Sequence, residues 1–315
     1  MFSRILVPLD GSQPAERTLP VAAQLARALD STLILVQVAQ PMIPRSNLLL
    51  EKHEQVGAYL TRVTERPVLA GVRYETVALV GSPAEKILDT LQAYRCDSVI
   101  LCSHGRTGLL RSLPGSVAQR VVYEASVPLL LLHQQGPLPI LNPPRRLCAL
   151  VPLDGSGAAE AALAPAVTLV GVLAPLGQGI LHLVQVVPFP LVERRAGLPK
   201  PPEARARETA LQEAHDYLYR VAEQLRREPL ARFQTQITWS VIANKDVAGA
   251  LIDLVQQNEP ARDVRGPHHF DLIAMATHGH GGIRHLVMGS ITERILSVSK
   301  LPLLVIRPQE GKTLS

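Results

Sequence analysis

The chain has 315 residues, of which 47% are apolar, 19% charged and 3% aromatic, with a formal net charge of +5. That length suggests two compact domains, and the high apolar content excludes a mainly disordered chain. The scarcity of aromatic side chains argues against a stacking platform for single-stranded nucleic acid, so no nucleic acid partner is expected. The basic surplus is mild and spread along the chain, which suits small anionic ligands.

Cysteine usage and the N-terminal residues indicate a reducing compartment. Cys96, Cys102 and Cys148 are an odd number of cysteines, and residues 1–12 lack the basic region and long apolar core of a signal peptide. We therefore expect a cytoplasmic protein without a disulfide framework. The uncharged stretch Ala161–Leu181 is interrupted by prolines and glycines, which favours a helix, turn and strand over a transmembrane segment. Its apolar face is a hypothetical contact between chains in a homodimer.

The first half of the chain alternates predicted strands with predicted helices. Short apolar runs rich in branched residues predict strands, and apolar residues at helical spacing predict helices. The alternation predicts an α/β fold with a doubly wound parallel sheet and helices on both faces. The predicted strands are Ser3–Leu9, Leu33–Val38, Val72–Val80, Ser98–Cys102 and Val127–His133, and the predicted helices are Pro14–Leu29, Leu48–Glu65, Pro83–Tyr94 and Ser116–Glu124.

Four sequence blocks of the first half recur in the same order in the second half. ILVPLDGS, which ends at Ser12, recurs as ALVPLDGS, which ends at Ser156, and LVQVAQP recurs as LVQVVPF. SHGRTGLLRSLPGS recurs as THGHGGIRHLVMGS, and VPLLLLH recurs as LPLLVIR. Such recurrence indicates a duplicated domain. We predict a first domain at residues 1–135, a proline-rich linker at 136–146 and a second domain at 147–310. The second domain carries roughly 26 extra residues between its second and fourth strands, with an insertion around 188–215. The insertion is predicted to be a mobile flap near the second site.

Unusual residues follow the predicted strands where an open α/β sheet binds its ligands. Asp10 follows the first strand, Ser103-His104-Gly105 follows the fourth, and Gly115-Ser116 opens the last helix. Glycines allow a phosphate to approach the backbone, and free N–H groups at the start of a helix attract an anion. There is no GxxxxGK[ST] sequence, so the lysine of an ordinary P-loop is not expected.

On these motifs the chain resembles a tandem universal stress protein over nearly its whole length. The resemblance implies two Rossmann-like domains, each a five-stranded parallel sheet in the order 3-2-1-4-5. It also implies that the last strands, LLLLH and LLVIRP, pair across an intrachain pseudo-twofold axis, so that one chain is a pseudo-dimer.

The nucleotide-binding branch of the family has the motif Gly-x2-Gly-x9-Gly-Ser/Thr and an aspartate after the first strand. Both copies have the second glycine and the Gly-Ser pair at the right spacing, but Cys102 and Ala276 stand where the first glycine belongs. By resemblance, Asp10 and Asp154 would hold the ribose or adenine, and the backbones of Val38 and Val186 would contact the adenine edge. The complete predicted site comprises Pro8, Asp10, Val38, Cys102, His104, Gly105, Arg106, Gly108, Gly115, Ser116 and Val117 in the first copy, and Pro152, Asp154, Val186, Ala276, His278, Gly279, His280, Gly282, Gly289, Ser290 and Ile291 in the second.

The first copy is predicted to be the better site. Arg106 stands where the second copy has His280, and Gly81-Ser82-Pro83 where it has Asn244-Lys245-Asp246. Against this, Pro114 removes one backbone donor just before Gly115.

Four alternative interpretations of these residues remain open. The first is that Asp10 and Asp154 are only helix N-caps. The second is a metal site among His268, His269, His278, His280 and His285 with Asp271, although exposed or phosphate-contacting histidines are preferred and no metal ligand is assigned. Redox-sensitive chemistry at Cys102 and a nucleophilic role for Ser116 or Ser290 are the other two, and both are disfavoured.

The expected function is therefore regulatory binding of ATP, or of ADP or AMP, possibly with Mg²⁺, in a stress response. No catalytic residue is assigned, and weak ATP hydrolysis is the most that is expected. The alternatives are an interaction module that binds no nucleotide, which the replaced first glycines favour, and a slow ATPase or phosphotransferase.

Overall fold

The computed structural model describes residues 1–40, 46–104, 114–140, 146–175, 177–189, 202–227, 234–256, 269–277 and 288–308, with only the backbone at 46–50, 202 and 203. The chain divides into two compact units. The first comprises Met1–Asn142 with Lys300–Gln309, and the second Pro143–Ser299 with Glu310–Ser315. The strands and helices of both units alternate along the chain as the apolar pattern predicts.

The first unit contains a sheet in the order β3-β2-β1-β4-β5-β10, in which β1 to β5 are parallel. Its core strands are continuous apolar runs because helices cover both of their faces. Its strands are β1 (Arg4–Leu9), β2 (Thr32–Ala39), β3 (Arg73–Val80), β4 (Ser98–Cys102), β5 (Leu129–Leu132) and β10 (Leu303–Ile306), and its helices are α1 (Gln13–Glu16), α2 (Thr18–Leu29), α3 (Ser46–Thr64), a 3₁₀ turn (Pro67–Leu69), α4 (Pro83–Ala93) and α5 (Ser116–Glu124).

The second unit contains a parallel sheet in the order β9-β6-β7-β8. This order repeats the 4-1-2-3 part of the first unit's sheet, so the predicted α/β fold and strand order are confirmed. Its strands are β6 (Leu147–Pro152), β7 (Gly179–Val187), β8 (Gln236–Ala243) and β9 (Leu272–Ala276), and its helices are α6 (Gly157–Glu160), α7 (Leu163–Leu173), α8 (Pro202–Arg227), α9 (Val247–Gln256) and α10 (Ser290–Val298).

Strand β10 comes last in the chain but belongs to the first unit. It runs antiparallel to β5, with Leu304 opposite Leu130, and both side chains are buried. The pairing of the last strands that the resemblance implies is therefore present. The predicted domain boundaries at residues 135, 146 and 310 stay predictions.

One local prediction requires correction, because the predicted helix Pro14–Leu29 is divided at Arg17 into α1 and α2. The extra residues predicted between the second and fourth strands of the second copy are divided between two connections. Val187 and Gln236 are 49 positions apart, against 34 for Ala39 and Arg73, and the next connection is 11 positions longer than its counterpart. Of the predicted flap at 188–215, residues 190–201 lie outside the described residues, and residues 202–215 form the first part of α8.

The uncharged stretch forms α7 and the start of β7, as predicted. Most residues of α7 are buried, and only Ala164, Gly171 and Val172 are partly exposed. The described residues of this stretch therefore do not form the exposed apolar face that the hypothesis of a contact between chains required. Within the described residues, no helix is both long enough and apolar enough to cross a bilayer.

The sheet of each unit opens between its first and fourth strands, which positions the candidate site. β1 is in register with β2 over its whole length but with β4 only at Ile5 and Leu6. Pro8 lies beyond this short pairing, so a residue without an N–H is accommodated in a central strand. The second unit repeats the arrangement, with β6 in register with β9 at Ala149 and Leu150 and with Pro152 beyond.

Candidate functional site

A cleft of about 1110 Å³ lies at the carboxyl ends of β1, β2 and β4 in the first unit. Its walls come from these strand ends, from one side of α3 and from the first turns of α4 and α5. This is the switch point of strand order at which open α/β sheets bind ligands. Of the predicted site, the cleft brings together Pro8, Asp10, Val38, Cys102, His104, Gly115, Ser116 and Val117, whereas Gly105, Arg106 and Gly108 lie outside the described residues.

Asp10 forms a tight turn directly after β1. Its Oδ1 accepts hydrogen bonds from the backbone N–H of Ser12 at 3.0 Å and from the Ser12 hydroxyl at 2.5 Å. Ser12, whose Oγ accepts from the N–H of Ala15, is the N-cap of α1. The interpretation of Asp10 as the helix cap is therefore wrong. Gly11 between them has φ +81°, a conformation that favours glycine.

The N-terminus of α5 provides backbone donors at the other end of the cleft. Gly115 is its N-cap, and no side chain caps it. The N–H of Gly115 donates to the carbonyl of Ser103 at 2.8 Å, which holds this helix start against the end of β4. The N–H groups of Ser116 and Val117 have no acceptor within the helix because the first turn of an α-helix never supplies one. Together with the helix dipole, they favour an anion at this position.

A tyrosine from α3 forms the side wall of the cleft. The Tyr59 hydroxyl donates to Glu16 Oε1 at 3.0 Å, and Glu16 Oε2 forms an ion pair with Arg66 at 2.5 Å. Burial, followed by the charge of Glu16, raises the pKa of Tyr59 well above its usual range. The tyrosine therefore stays neutral and fixes α3 to the end of α1.

A buried amide lies in the floor of the same cleft. Gln37 is 8% exposed, lines the cleft, and has an Oε1 without a hydrogen-bond partner. A buried acceptor that is left unpaired costs about 1–3 kcal/mol. Such a group is normally satisfied by a ligand or an ordered water.

The second unit repeats this cleft in a smaller form, with a volume of about 780 Å³. Asp154 Oδ1 accepts from the N–H and hydroxyl of Ser156 at 3.0 and 2.6 Å, and Ser156 caps α6, so the cap interpretation is wrong here too. Gly289 is the N-cap of α10, again without a side-chain cap. This cleft brings together Pro152, Asp154, Val186, Ala276, Gly289, Ser290 and Ile291 of the predicted site, whereas His278, Gly279, His280 and Gly282 lie outside the described residues.

The buried polar side chains of the clefts are also duplicated. The Tyr217 hydroxyl donates to Glu160 Oε1 at 3.0 Å, and burial raises the pKa of Tyr217 as it does for Tyr59. Gln185 likewise lines its cleft with a buried, unpartnered Oε1. The sequence analysis did not single out these residues. The available signal was spacing, since Glu16 and Glu160 are 144 positions apart, as are the two aspartates.

The two clefts differ in the charge of their helical walls. When α3 and α8 are aligned on their tyrosines, Lys52 corresponds to Ala210 and Gln55 to Glu213. Lys52 lines the first cleft, where its Nζ donates to the carbonyl of Gln40 at 2.9 Å. The first wall therefore carries a cation and the second an anion.

The geometry does not favour the two remaining alternatives that can be examined, a reactive Cys102 thiol and a metal site. Cys102 is buried and burial raises the pKa of its thiol, which disfavours the reactive thiolate. Asp271, the carboxylate considered for a metal site, accepts from the N–H of Cys148 at 2.9 Å and lies 3.3 Å from His269 Nε2. Over the described ranges, no group of three or more His, Cys, Asp or Glu side chains is placed to hold a metal. The other four histidines of that hypothesis lie outside those ranges.

Comparison with known proteins identifies the family. The universal stress protein family model matches residues 1–133 and again residues 149–307. Universal stress protein MJ0531 of Methanocaldococcus jannaschii is 28% identical over 145 residues, which cover 42% of this chain and 84% of that protein. A universal stress protein of Thermus aquaticus is 30% identical over 145 residues, and the match covers all of that protein and 42% of this chain.

A solved structure extends the likeness to the whole chain. A universal stress protein from Archaeoglobus fulgidus matches with a TM-score of 0.66 and 18% identity, covering 98% of this chain and 99% of that one. At this identity the match supports the fold alone. Together with the two family matches, it means that the chain belongs to the universal stress protein family, with two family domains in tandem.

Proposed function

We propose that the chain is a stress-response regulatory protein of the cytoplasm that binds adenine nucleotides in the clefts of its two units. One observation carries the proposal. Each unit places an aspartate turn, an uncapped helix N-terminus and a buried unpartnered amide in one cleft at the switch point of its sheet. A merely structural turn explains one such feature, but not the recurrence of all three in both copies.

The cleft has two chemically distinct ends that suit the two ends of a nucleotide. The N-terminus of α5, with Gly115, Ser116 and the nearby His104, supplies donors for phosphate oxygens. Asp10 and the backbone of Val38 lie at the other strand ends and would hold the ribose and the base. ATP thus fits the residues present, and Mg²⁺ would arrive with its phosphates.

We further propose that the first cleft is the stronger site for a polyphosphate. Lys52 adds a positive charge to its wall, whereas Glu213 adds a negative charge to the second. Opposite charge on the wall of a cleft attracts a polyanion and raises its association rate, whereas like charge lowers it.

The test begins with the protein as purified. Denaturation followed by mass spectrometry identifies and counts any released nucleotide, and titration with ATP–Mg²⁺ measures the affinity of each site. We expect one or two adenine nucleotides per chain. The Asp10→Ala variant should weaken the first site by about tenfold or more, as expected for loss of a hydrogen bond from a charged group.

The equivalent variant Asp154→Ala provides the matched control. It removes the same group from the second unit and should leave the tighter site unchanged. A protein that carries no nucleotide and does not bind added ATP–Mg²⁺ would refute the proposal. That outcome would favour an interaction module, to which the replacement of the first motif glycine by Cys102 and Ala276 also points. Multiple-turnover phosphate release would indicate an ATPase.

A further inference from the structure

A very short helix follows the aspartate turn in the first unit. This helix, α1, comprises only the four residues Gln13–Glu16. Ser12 connects it to the cleft, because the Ser12 Oγ donates to Asp10 Oδ1 at 2.5 Å and accepts from the N–H of Ala15 at 3.3 Å. A helix of one turn is not stable by itself in water, so contacts with the rest of the protein must hold it in place.

The tyrosine of the cleft wall holds the far end of this helix. Glu16 is the last residue of α1, and its Oε1 accepts from the Tyr59 hydroxyl at 3.0 Å. A carboxylate acceptor makes this one of the stronger classes of hydrogen bond. A continuous series of contacts therefore connects the Tyr59 hydroxyl, through α1 and Ser12, to the carboxylate of Asp10.

The second unit has the same series of contacts. The Ser156 Oγ donates to Asp154 Oδ1 at 2.6 Å and caps α6, which also has only four residues (Gly157–Glu160). Glu160, the last of them, accepts from the Tyr217 hydroxyl at 3.0 Å. The tyrosines belong to helices of different length, 19 residues for α3 and 26 for α8. Recurrence of the contact on two such different helices favours a shared role over an accident of packing.

Each tyrosine also lies within electrostatic range of the aspartate of its own unit. Tyr59 and Asp10 line one cleft, and Tyr217 and Asp154 line the other. Burial raises the pKa of each tyrosine most, followed by the neighbouring glutamate and then by the charge of the aspartate. The tyrosine therefore keeps its proton at neutral pH and remains a hydrogen-bond donor.

We propose that Tyr59 and Tyr217 are positioning residues, each of which anchors the short helix of its unit and so holds the aspartate of the cleft in its ligand-binding orientation. This inference rests on the proposed nucleotide binding and adds to it the residues that orient the aspartates. An acceptor that is already held in its bound orientation loses little conformational freedom when the ligand binds, which raises the affinity.

The two tyrosines should differ in how much of the anchoring they provide. In the first unit, Arg66 also holds Glu16, through an ion pair at 2.5 Å. When α3 and α8 are aligned on their tyrosines, Gln224 stands in the place of Arg66. A neutral amide cannot form that ion pair. The loss of the hydroxyl should therefore have the larger effect at Tyr217.

The first experiment needs no nucleotide. The amide N–H of Ser12 donates to Asp10 Oδ1 at 3.0 Å, so its NMR chemical shift reports the orientation of that carboxylate. Tyr59→Phe should move this resonance and leave that of Ser156 in place. The matched control Tyr74→Phe, at an exposed tyrosine of β3 that lines neither cleft, should move neither. A tyrosine that only stabilises the fold would lower the urea midpoint without moving the resonance.

The second experiment measures ATP affinity in a double-mutant cycle. ATP–Mg²⁺ is titrated calorimetrically into the wild type, Tyr59→Phe, Asp10→Ala and the double variant, with the unaltered second site as the internal reference. Tyr59→Phe should weaken the first site by about threefold to tenfold, but by less than about 1.5-fold when residue 10 is already alanine. The reciprocal cycle of Tyr217→Phe and Asp154→Ala should affect the second site alone, and more strongly.

The outcomes distinguish this inference from the proposal beneath it. A wild type that binds no nucleotide overturns the proposed function. If Tyr59→Phe binds ATP as tightly as the wild type, weakens binding equally in both backgrounds, or leaves the Ser12 resonance in place, only the positioning role is overturned. If Asp10→Ala abolishes measurable binding, the Ser12 resonance and the affinity of Tyr59→Phe decide. A weaker first site together with a moved resonance supports the inference.

Discussion

Acidification from pH 7 to pH 4.5 is expected to destabilise the second unit through one buried histidine. His182 lies in the middle of β7 and is fully buried. Its Nδ1 and Nε2 lie 2.8 and 2.9 Å from the hydroxyls of Thr238 and Ser240, and its ring contacts Phe270. Both hydroxyls can donate or accept, so they satisfy a neutral imidazole completely. Burial is what opposes the charged form.

The size and sign of the effect follow from the pKa. Burial lowers the pKa of His182 from 6.5 to about 4. The unfolded chain therefore takes up its proton at a higher pH than the folded chain does. The stabilisation is complete above about pH 6.5 and is lost as the pH falls towards 4. Linkage with these two values gives a loss of about 2–2.5 kcal/mol between pH 7 and pH 4.5.

The assay can be made specific to the second unit. Trp239, the single tryptophan of the chain, lies in β8 opposite Leu183, next to His182. Urea unfolding followed by its fluorescence is measured at both pH values for wild type and His182→Gln, whose amide can bond both hydroxyls without titrating. The wild type should lose about 2 kcal/mol more than the variant on acidification. The control His53→Gln, at an exposed position of α3, should behave like the wild type.

One result would refute this reasoning. If His182→Gln loses as much stability on acidification as the wild type does, burial of that ring is not coupled to protonation. The acid sensitivity of the second unit would then have to come from its carboxylates.

Three further predictions concern the first unit. Tyr59→Phe should lower the free energy of unfolding by about 1–3 kcal/mol, because the hydroxyl donates to the charged Glu16; an unchanged urea midpoint would show that this bond contributes nothing. Leu304→Ala should cost about 2–5 kcal/mol and accelerate amide hydrogen exchange around Leu130, whereas unchanged exchange there would contradict the β5–β10 pairing. Alkylation of Cys102 by iodoacetamide at pH 7 should be much slower in the folded than in the urea-unfolded protein, because burial raises the pKa of the thiol; equal rates would contradict this.

The local pattern of the sequence was sufficient for most of the fold. Apolar runs predicted the strands of the first unit to within a few residues, because a strand buried on both faces must be apolar throughout. The repeated blocks predicted the duplication, and the strand pattern placed Asp10 after the first strand and His104 after the fourth. Chain order and parallel crossovers then required them to lie at one edge of the sheet. These inferences depend only on residues that are close in the chain or that recur at a fixed offset.

Other features were decided by contacts between distant residues. The division of the first predicted helix at Arg17 and the sharing of the extra residues between two connections leave no periodic signal. Tyr59 meets Glu16 across 43 positions, and composition does not encode that meeting.

The buried amides show most clearly what sequence and structure each contribute. The sequence determined that a glutamine recurs in LVQV, but a glutamine in an apolar strand can point to solvent, to a neighbour or into a cavity. Only the tertiary structure decided that Oε1 of Gln37 and of Gln185 is buried at a cleft without a partner, because partners are set by which strands and helices converge. In the same way, the apolar pattern determined that Leu303–Ile306 is a strand, and the resemblance implied its partner. The register of its pairing with β5 came only from the tertiary structure, because backbone N–H and C=O groups find partners wherever an open sheet edge offers them.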